Sequence, residues 1–377
     1  MNDKWNKCRR IVVKIGSSLL VDYDSGNLNT DWLSSLADDI AELRQRGREV
    51  IIVSSGAIAL GRTSLGLAGG TLRLDESQAA ASVGQIALAH SYQEVFKARE
   101  LVVAQILLTL SDTEQRRRYL NARNTVTTLL DLGAVPVVNE NDTVATSEIR
   151  YGDNDRLAAR VGSMMSADCV VLLSDVDGLY TAPPNSHPKE HGGGELVELV
   201  PDITTEIEAM AGDVGTELSR GGMVTKIEAA KISVASGAHL VISSGKVNHP
   251  LKAIAEGRPC TWFVADDNPV TSRKRWIAAG LEENGTLRID SGARQALKNG
   301  KSLLPAGIVA IEGRFEKGDA VRIATEDGQE IGRGLTAYDH TDANRIKGRN
   351  SREISDILGY RGKNEVVHRD DMVLKRK

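Results

Sequence analysis

Cysteine is scarce: Cys8, Cys169 and Cys260 are the only three in 377 residues, widely spaced and odd in number. No two stand at the spacing of a zinc ligand pair or a redox pair, so a reducing compartment is the simplest expectation. Aromatic residues make up only 4%, which leaves few rings for stacking single-stranded bases. Long apolar runs are missing too. No segment approaches the roughly 18 residues that cross a bilayer, and Met1-Asn2-Asp3-Lys4-Trp5 lacks the apolar stretch of a signal peptide. The expectation is a soluble, cytoplasmic protein with no membrane partner. Nor does one charge sign dominate. A formal net charge of −4 argues against a leading electrostatic role on nucleic acid or membrane.

What is present has the balance of an ordinary globular protein, 41% hydrophobic and 26% charged. The length is too great for one ordinary core and predicts two domains. Up to about residue 265, short apolar runs alternate with amphipathic stretches. Arg10 to Ile15 (RIVVKI) reads as a buried strand running into a Gly-Ser-Ser turn. Leu33, Leu36, Ala37, Ile40 and Leu43 recur at helical spacing, with Gly47 where a C-cap falls. Further strands are expected at Val50 to Val53, Leu101 to Leu107, Val135 to Val138, Val170 to Leu173 and Leu240 to Ile242. Helices are expected around Gln78 to Ala98, Ala122 to Leu132, Arg156 to Met165 and Thr225 to Ala235. Apolar strands alternating with helices imply an α/β fold with an open, mostly parallel sheet covered by helices on both faces. Ligands of such sheets bind beyond the carboxyl ends of the strands, where this sequence concentrates Gly, Ser, Asn and Asp. After about Asp267 the texture changes to short alternating strands, with Asp327-Gly328 as a hairpin turn. The expected division is a first domain over 1–267, a linker over 268–283, a small mainly-β domain over 284–363 and a tail over 364–377.

Six segments carry candidate chemistry. Lys14 lies just before Gly16-Ser17-Ser18, a turn whose amides suit phosphate oxygens while the ammonium adds a point charge. Ser54-Ser55-Gly56-Ala57 follows the second strand and is placed to start a helix. Asn139-Glu140-Asn141-Asp142 and Gly152-Asp153-Asn154-Asp155-Arg156 are two clusters suited to gripping an ammonium and a carboxyl group, although Asx-rich turns have the same composition. Ser174-Asp175-Val176-Asp177 closes a strand, and is either a nucleotide contact, a pair of metal ligands or a tight βα turn. Arg220-Gly221-Gly222-Met223-Val224-Thr225-Lys226 opens a helix with two glycines that allow phosphate to approach the backbone.

In that order the segments resemble the glutamate 5-kinase family of the amino acid kinase superfamily, whose members carry a C-terminal PUA domain. The resemblance covers nearly the whole chain. It rests on VVKIGSS at Val12, SSGAIALG at Ser54, LNARNT at Leu120, PVVNENDTVAT at Pro136, GDNDRL at Gly152, LLSDVDGLY at Leu172, GGMVTK at Gly221 and VHRDDM at Val367. It implies phosphoryl transfer from ATP to the 5-carboxylate of L-glutamate, the first step of proline biosynthesis. It also implies Lys14 and Lys226 on the phosphoryl group with Asp155 orienting both, and Ser55, Asp142 and Asn154 on glutamate. ATP would lie against Lys14, Ser174, Asp175 and the run Gly221, Gly222, Met223, Val224, Thr225 and Lys226, with Mg²⁺ on its phosphates and no protein metal site. Feedback inhibition by proline, a homo-oligomer and association with glutamate-5-semialdehyde dehydrogenase come with the resemblance and with no residue pattern. One departure stands out: the family commonly reads Gly-Thr-Gly-Gly-Met where this chain has Ser219-Arg220-Gly221-Gly222-Met223, so the threonine's nucleotide contact is not carried over.

Rival expectations are a kinase of the same superfamily acting on acetylglutamate, aspartate, carbamate or UMP, a catalytically dead regulator, and an RNA-binding protein. Lys347, Arg349, Arg352, Arg361 and Lys363 make the tail basic, but such charges are ordinarily a solvated face. Salt-dependent RNA binding would be the sign of the last class.

Overall fold

The computed structural model describes residues 2–22, 26–67, 70–144, 154–182, 194–211, 222–266, 268–269, 271–272 and 283–375. Its contacts divide the chain into two compact units, residues 1–115 with 121–269, and residues 116–120 with 270–377.

The larger unit is built on strands β1 (Arg10–Ile15), β2 (Glu49–Val53), β3 (Val103–Leu108), β4 (Val135–Glu140), β5 (Cys169–Ser174), β6 (Leu199–Val200), β7 (His239–Ser244) and β8 (Thr261–Phe263). They form one sheet in the order β3-β4-β2-β1-β5-β7-β8-β6. Every pairing is parallel except β7 with β8. The central strands are almost wholly buried because helices cover both faces, which is why they read as unbroken apolar runs.

The helices of this unit are α1 (Asn2–Lys7), α2 (Ser17–Leu20), α3 (Thr30–Gln45), α4 (Ala57–Ser64), α5 (Leu74–Lys97), α6 (Leu110–Glu114), α7 (Arg116–Asp131, whose first turn falls in the other unit), α8 (Asn154–Met165), α9 (Thr205–Ala209), α10 (Met223–Ala235) and α11 (Pro250–Ala255). Ile11, Val13 and Ile15 point into the core formed with α3 and α5, including Trp32, Leu36, Leu88 and Phe96. Strand alternation then turns Val12 and Lys14 to the opposite face, where Val12 lies near Gly162 of α8.

The chain lays β2 on one side of β1 and β5 on the other. The crevice beyond their carboxyl ends is thus a topological switch point, the place where open α/β sheets bind ligands. Lys14 is in register with Val53 on one flank and Leu172 on the other. It therefore sits between the turn that starts at Ser54 and the turn that starts at Ser174.

The smaller unit holds β9 (Glu283–Ile289), β10 (Ile308–Gly313), β11 (Ala320–Thr325), β12 (Glu330–Thr336) and β13 (Val367–Leu374), in the order β10-β9-β11-β12-β13. Leu287, Ile289, Val321, Ile323 and Tyr338 are buried in its core. Strands β11 and β12 pair antiparallel across the Asp327-Gly328 turn, with Gly328 at φ 88°. Strand β13 pairs with β12, so the stretch that alternation alone leaves as a tail carries the last strand of this sheet. The connecting segment around Arg273-Lys274-Arg275-Trp276 lies outside the described residues.

Candidate active site

Lys14, Asp155 and Lys226 come from a strand and two helices and meet at one point. Lys14 Nζ is 2.6 Å from Asp155 Oδ1 and Lys226 Nζ is 3.1 Å from Asp155 Oδ2. All three are buried, their side chains 10%, 3% and 7% exposed respectively. Asp155 occupies the first turn of α8, where the helix dipole favours an anion. Lys226 occupies the first turn of α10, which packs on α8. Thr225 Oγ1 adds a hydrogen bond of 3.3 Å to Asp155 Oδ2. Burial works to raise the Asp155 pKa, but the charges and hydrogen bonds of the two lysines outweigh it and hold the carboxyl below its ordinary range.

Beyond β2, the backbone turns through Ser54-Ser55-Gly56 into α4. Gly56 lies at φ 104°, ψ −6°, a left-handed conformation that costs a residue with a Cβ but not glycine. Asn154 closes this turn from the other side. Its Nδ2 donates to Ser54 O at 2.7 Å and to Ser55 Oγ at 2.7 Å, with Asn139 Oδ1 further off at 3.3 Å. Ser55 and Asn154 are thus joined directly, and Asn154 is the residue before Asp155.

Asp142 touches none of these side chains. It lies just past β4 in the wall of a cavity of about 240 Å³ that Gln85 and Ile86 of α5 also line. Burial pushes its carboxyl up to about 6.

Ser174 ends β5 on the other flank of β1 and Asp175 follows it, and Ser174 Oγ donates to Asp175 Oδ1 at 3.0 Å. Gly222 caps α10, with Met223 and Val224 as its first residues, whereas Gly152, Asp153, Arg220 and Gly221 lie outside the described residues. Among the described residues no three His, Cys, Asp or Glu side chains gather as metal ligands, and no helix is long and apolar enough to cross a membrane.

Sequence reasoning missed Asn139, Gln85, Tyr92 and Ser54 as individual partners of this site. Asn139 and Ser54 stood inside segments already singled out. Gln85 and Tyr92 lie on α5, where the helical pattern carries no sign of a site.

Two buried cations on one carboxylate stand at the carboxyl edge of a mostly parallel sheet, an arrangement whose charge suits an anionic group such as a phosphate. Residues 9–244 match the model of the amino acid kinase family and residues 285–358 that of the PUA domain. The chain belongs to the amino acid kinase family. Within it the chain falls among the glutamate 5-kinases. A protein of that name from Rhodopseudomonas palustris (strain BisB5) is 61% identical over 98% of this chain and 98% of its own. Another, from Bradyrhizobium diazoefficiens, is 60% identical over 97% of each. Among solved structures, a carbamate kinase from Giardia lamblia superposes with a TM-score of 0.48 at 15% identity, over 71% of this chain and 100% of that one.

Proposed function

We propose that this kinase transfers the γ-phosphoryl group of ATP to the 5-carboxylate of L-glutamate, giving L-glutamyl 5-phosphate and ADP, the first step of proline biosynthesis. The observation that carries the reading is the convergence of Lys14 and Lys226 on Asp155 between two polar turns. A glutamate side-chain carboxyl has a pKa of about 4.3, so it is ionised at neutral pH and needs no general base. One of its oxygens attacks phosphorus in line, the bond to the β,γ-bridging oxygen breaks, and ADP leaves with that electron pair. The protein's task is to hold two anions together and to meet the charge that spreads over the moving phosphoryl oxygens.

Lys14 and Lys226 supply that charge. Asp155 orients them and is no base, because its oxygens face the two ammonium groups and its pKa is held down. Ser55 Oγ accepts from Asn154, which leaves its own hydrogen to donate to a carboxylate. Asn154 Oδ1, at the other end of the committed amide, and the Asp142 carboxylate suit the α-ammonium group.

ATP is read against Ser174, Asp175 and the loop from Gly221 through Gly222, Met223, Val224 and Thr225 to Lys226. The backbone amides at the start of α10, which have no partner within the helix, would be donors for its phosphates. Mg²⁺ would accompany the nucleotide, since Asp155 is held by the two lysines. It would neutralise phosphate charge there.

A cytoplasmic location, proline as feedback inhibitor, a homo-oligomer and association with glutamate-5-semialdehyde dehydrogenase belong to the same proposal and rest on the family likeness.

The test is ADP release by purified protein with ATP and Mg²⁺, offering glutamate, aspartate, acetylglutamate, carbamate and UMP side by side. Hydroxylamine is added to trap an acyl phosphate. Glutamate is expected to give the highest kcat/KM and a hydroxamate; preference for another acceptor would overturn the substrate assignment.

A further inference from the structure

Helix α5 supplies none of the side chains assigned above, yet it grips the acceptor half from behind in three places. Tyr92, buried, shares a hydrogen bond of 3.0 Å with Ser54 Oγ. Gln85 Oε1 accepts from Asn139 Nδ2 at 2.7 Å. Gly84 lies so close to α4 that a methyl group there would stand 1.8 Å from Ala57 O. One helix therefore reaches both the Ser54–Gly56 turn and the carboxamide beside Asn154.

We propose that Gln85 and Tyr92 are positioning residues for the glutamate acceptor, Gln85 acting through Asn139 and Asn154, Tyr92 through Ser54 and Ser55. The proposal rests on the reading that Ser55 and Asn154 hold glutamate.

Asn154 Nδ2 has two hydrogens and three acceptors within reach, of which Asn139 Oδ1 is the most distant. The two ends of a carboxamide are nearly the same size, so packing alone does not choose which end Asn139 turns toward Asn154; hydrogen bonding does. Gln85 makes that choice by taking Nδ2. Without it, Asn139 is free to rotate and set donor against donor, which loosens the Asn154 amide that holds Ser54 O and Ser55 Oγ.

Tyr92 works on the other strand of the network. The single hydroxyl hydrogen of Ser54 goes to Ser55 O, so in the bond between the two hydroxyls Tyr92 is the donor. Ser54 Oγ donates onward to Ser55 O at 3.2 Å. That chain fixes the Ser55 peptide in front of α4. Gln85 also lines the cavity that Asp142 lines.

The experiment compares wild-type protein with Gln85→Leu, Gln85→Glu and Tyr92→Phe in steady-state kinetics and urea unfolding. Gln85→Leu should raise the KM for glutamate by about fivefold to tenfold, the fold-change of one neutral hydrogen bond, with kcat and the KM for ATP little changed. Gln85→Glu, which keeps an oxygen facing Asn139 Nδ2, should restore most of that loss. Tyr92→Phe should raise the same constant without touching that for ATP. A wild-type glutamate KM in folded Gln85→Leu would overturn the proposal. So would an equal rise for both substrates, which marks only a loosened fold. Absence of glutamate turnover in the wild-type protein would instead sink the functional reading, and this proposal with it.

Discussion

Replacing Asp155 by asparagine removes one charge with almost no change of volume, and it does so where two ammonium groups depend on it. With Lys14 Nζ at 2.6 Å and Lys226 Nζ at 3.1 Å, each attraction is worth ~5–6 kcal/mol gross at an effective dielectric of about 20. Desolvation of the three buried groups offsets much of this, and removing one partner of a buried pair leaves a net loss of ~3–5 kcal/mol. The asparagine NH₂ also points a donor at one of the lysines. Two uncompensated ammonium groups still attract a phosphate, so ATP binding in the ground state should not weaken. What is lost is their fixed placement where charge develops in the transition state.

The expected result is a KM for ATP unchanged or lower, and a kcat lower by about 10²–10³, the equivalent of ~3–4 kcal/mol. Hydroxamate formation at saturating substrates measures it, with urea unfolding as the check that the variant is folded. The pH dependence has a definite sign. Because the folded-state pKa of Asp155 is depressed below 3.8, its contribution to stability is present above that value and lost only as pH falls through the lower folded pKa. The unfolding curves of variant and wild type should therefore stay apart at neutral pH and converge only in strong acid. A variant whose kcat stayed within about tenfold of wild type would refute the reasoning, since a group supplying less than ~1.4 kcal/mol is not what holds the two cations in place.

Asp142 predicts a second pH effect, of opposite sign. Its carboxyl is raised from 3.8 to about 6 by burial, so folding favours its protonated form and stability falls as pH rises from about 4 through 6. Over the same interval the carboxylate that would meet an ammonium group appears. The KM for glutamate should climb as pH drops below about 6, and Asp142→Asn should flatten that climb; parallel profiles for the two proteins would refute the assignment. At the α4–α5 contact, Gly84→Ala places a Cβ 1.8 Å from Ala57 O and 2.5 Å from Gly61 N. Overpacking of this kind costs ~1–3 kcal/mol or more, so thermal unfolding should move down and the KM for glutamate up, because α4 carries the Ser55 turn. Wild-type values of both would show that the helices separate without cost.

The alternation of apolar runs and amphipathic stretches was enough to place the main strands and helices of the larger unit, because strands buried on both faces are apolar at nearly every position. Boundaries moved by a few residues: the strand expected at Leu101 to Leu107 runs from Val103 to Leu108, and the helix expected from Gln78 begins at Leu74. Short pieces escaped notice. Thr261–Phe263, only three residues long, turns antiparallel to β7, and β13 begins at Val367 with polar His368, Arg369, Asp370 and Asp371 inside it. Neither has enough periodicity to rise above a loop.

The sequence by itself determined which residue types end the strands, since glycine, serine and Asx turns are local chemistry. In that sense the segments that carry Lys14, Ser55, Asn154, Asp155, Ser174 and Lys226 were legible as strand ends and helix starts. Only the tertiary structure decided that Lys14 and Lys226 share one carboxylate, 71 residues from the second and 141 from the first. That outcome depends on strand register, on the parity that turns Lys14 toward α8, and on α10 packing against α8. The support from Gln85 and Tyr92 was equally invisible, because a side chain on a helix announces its spacing but not the hydrogen-bond partner that another strand brings to it.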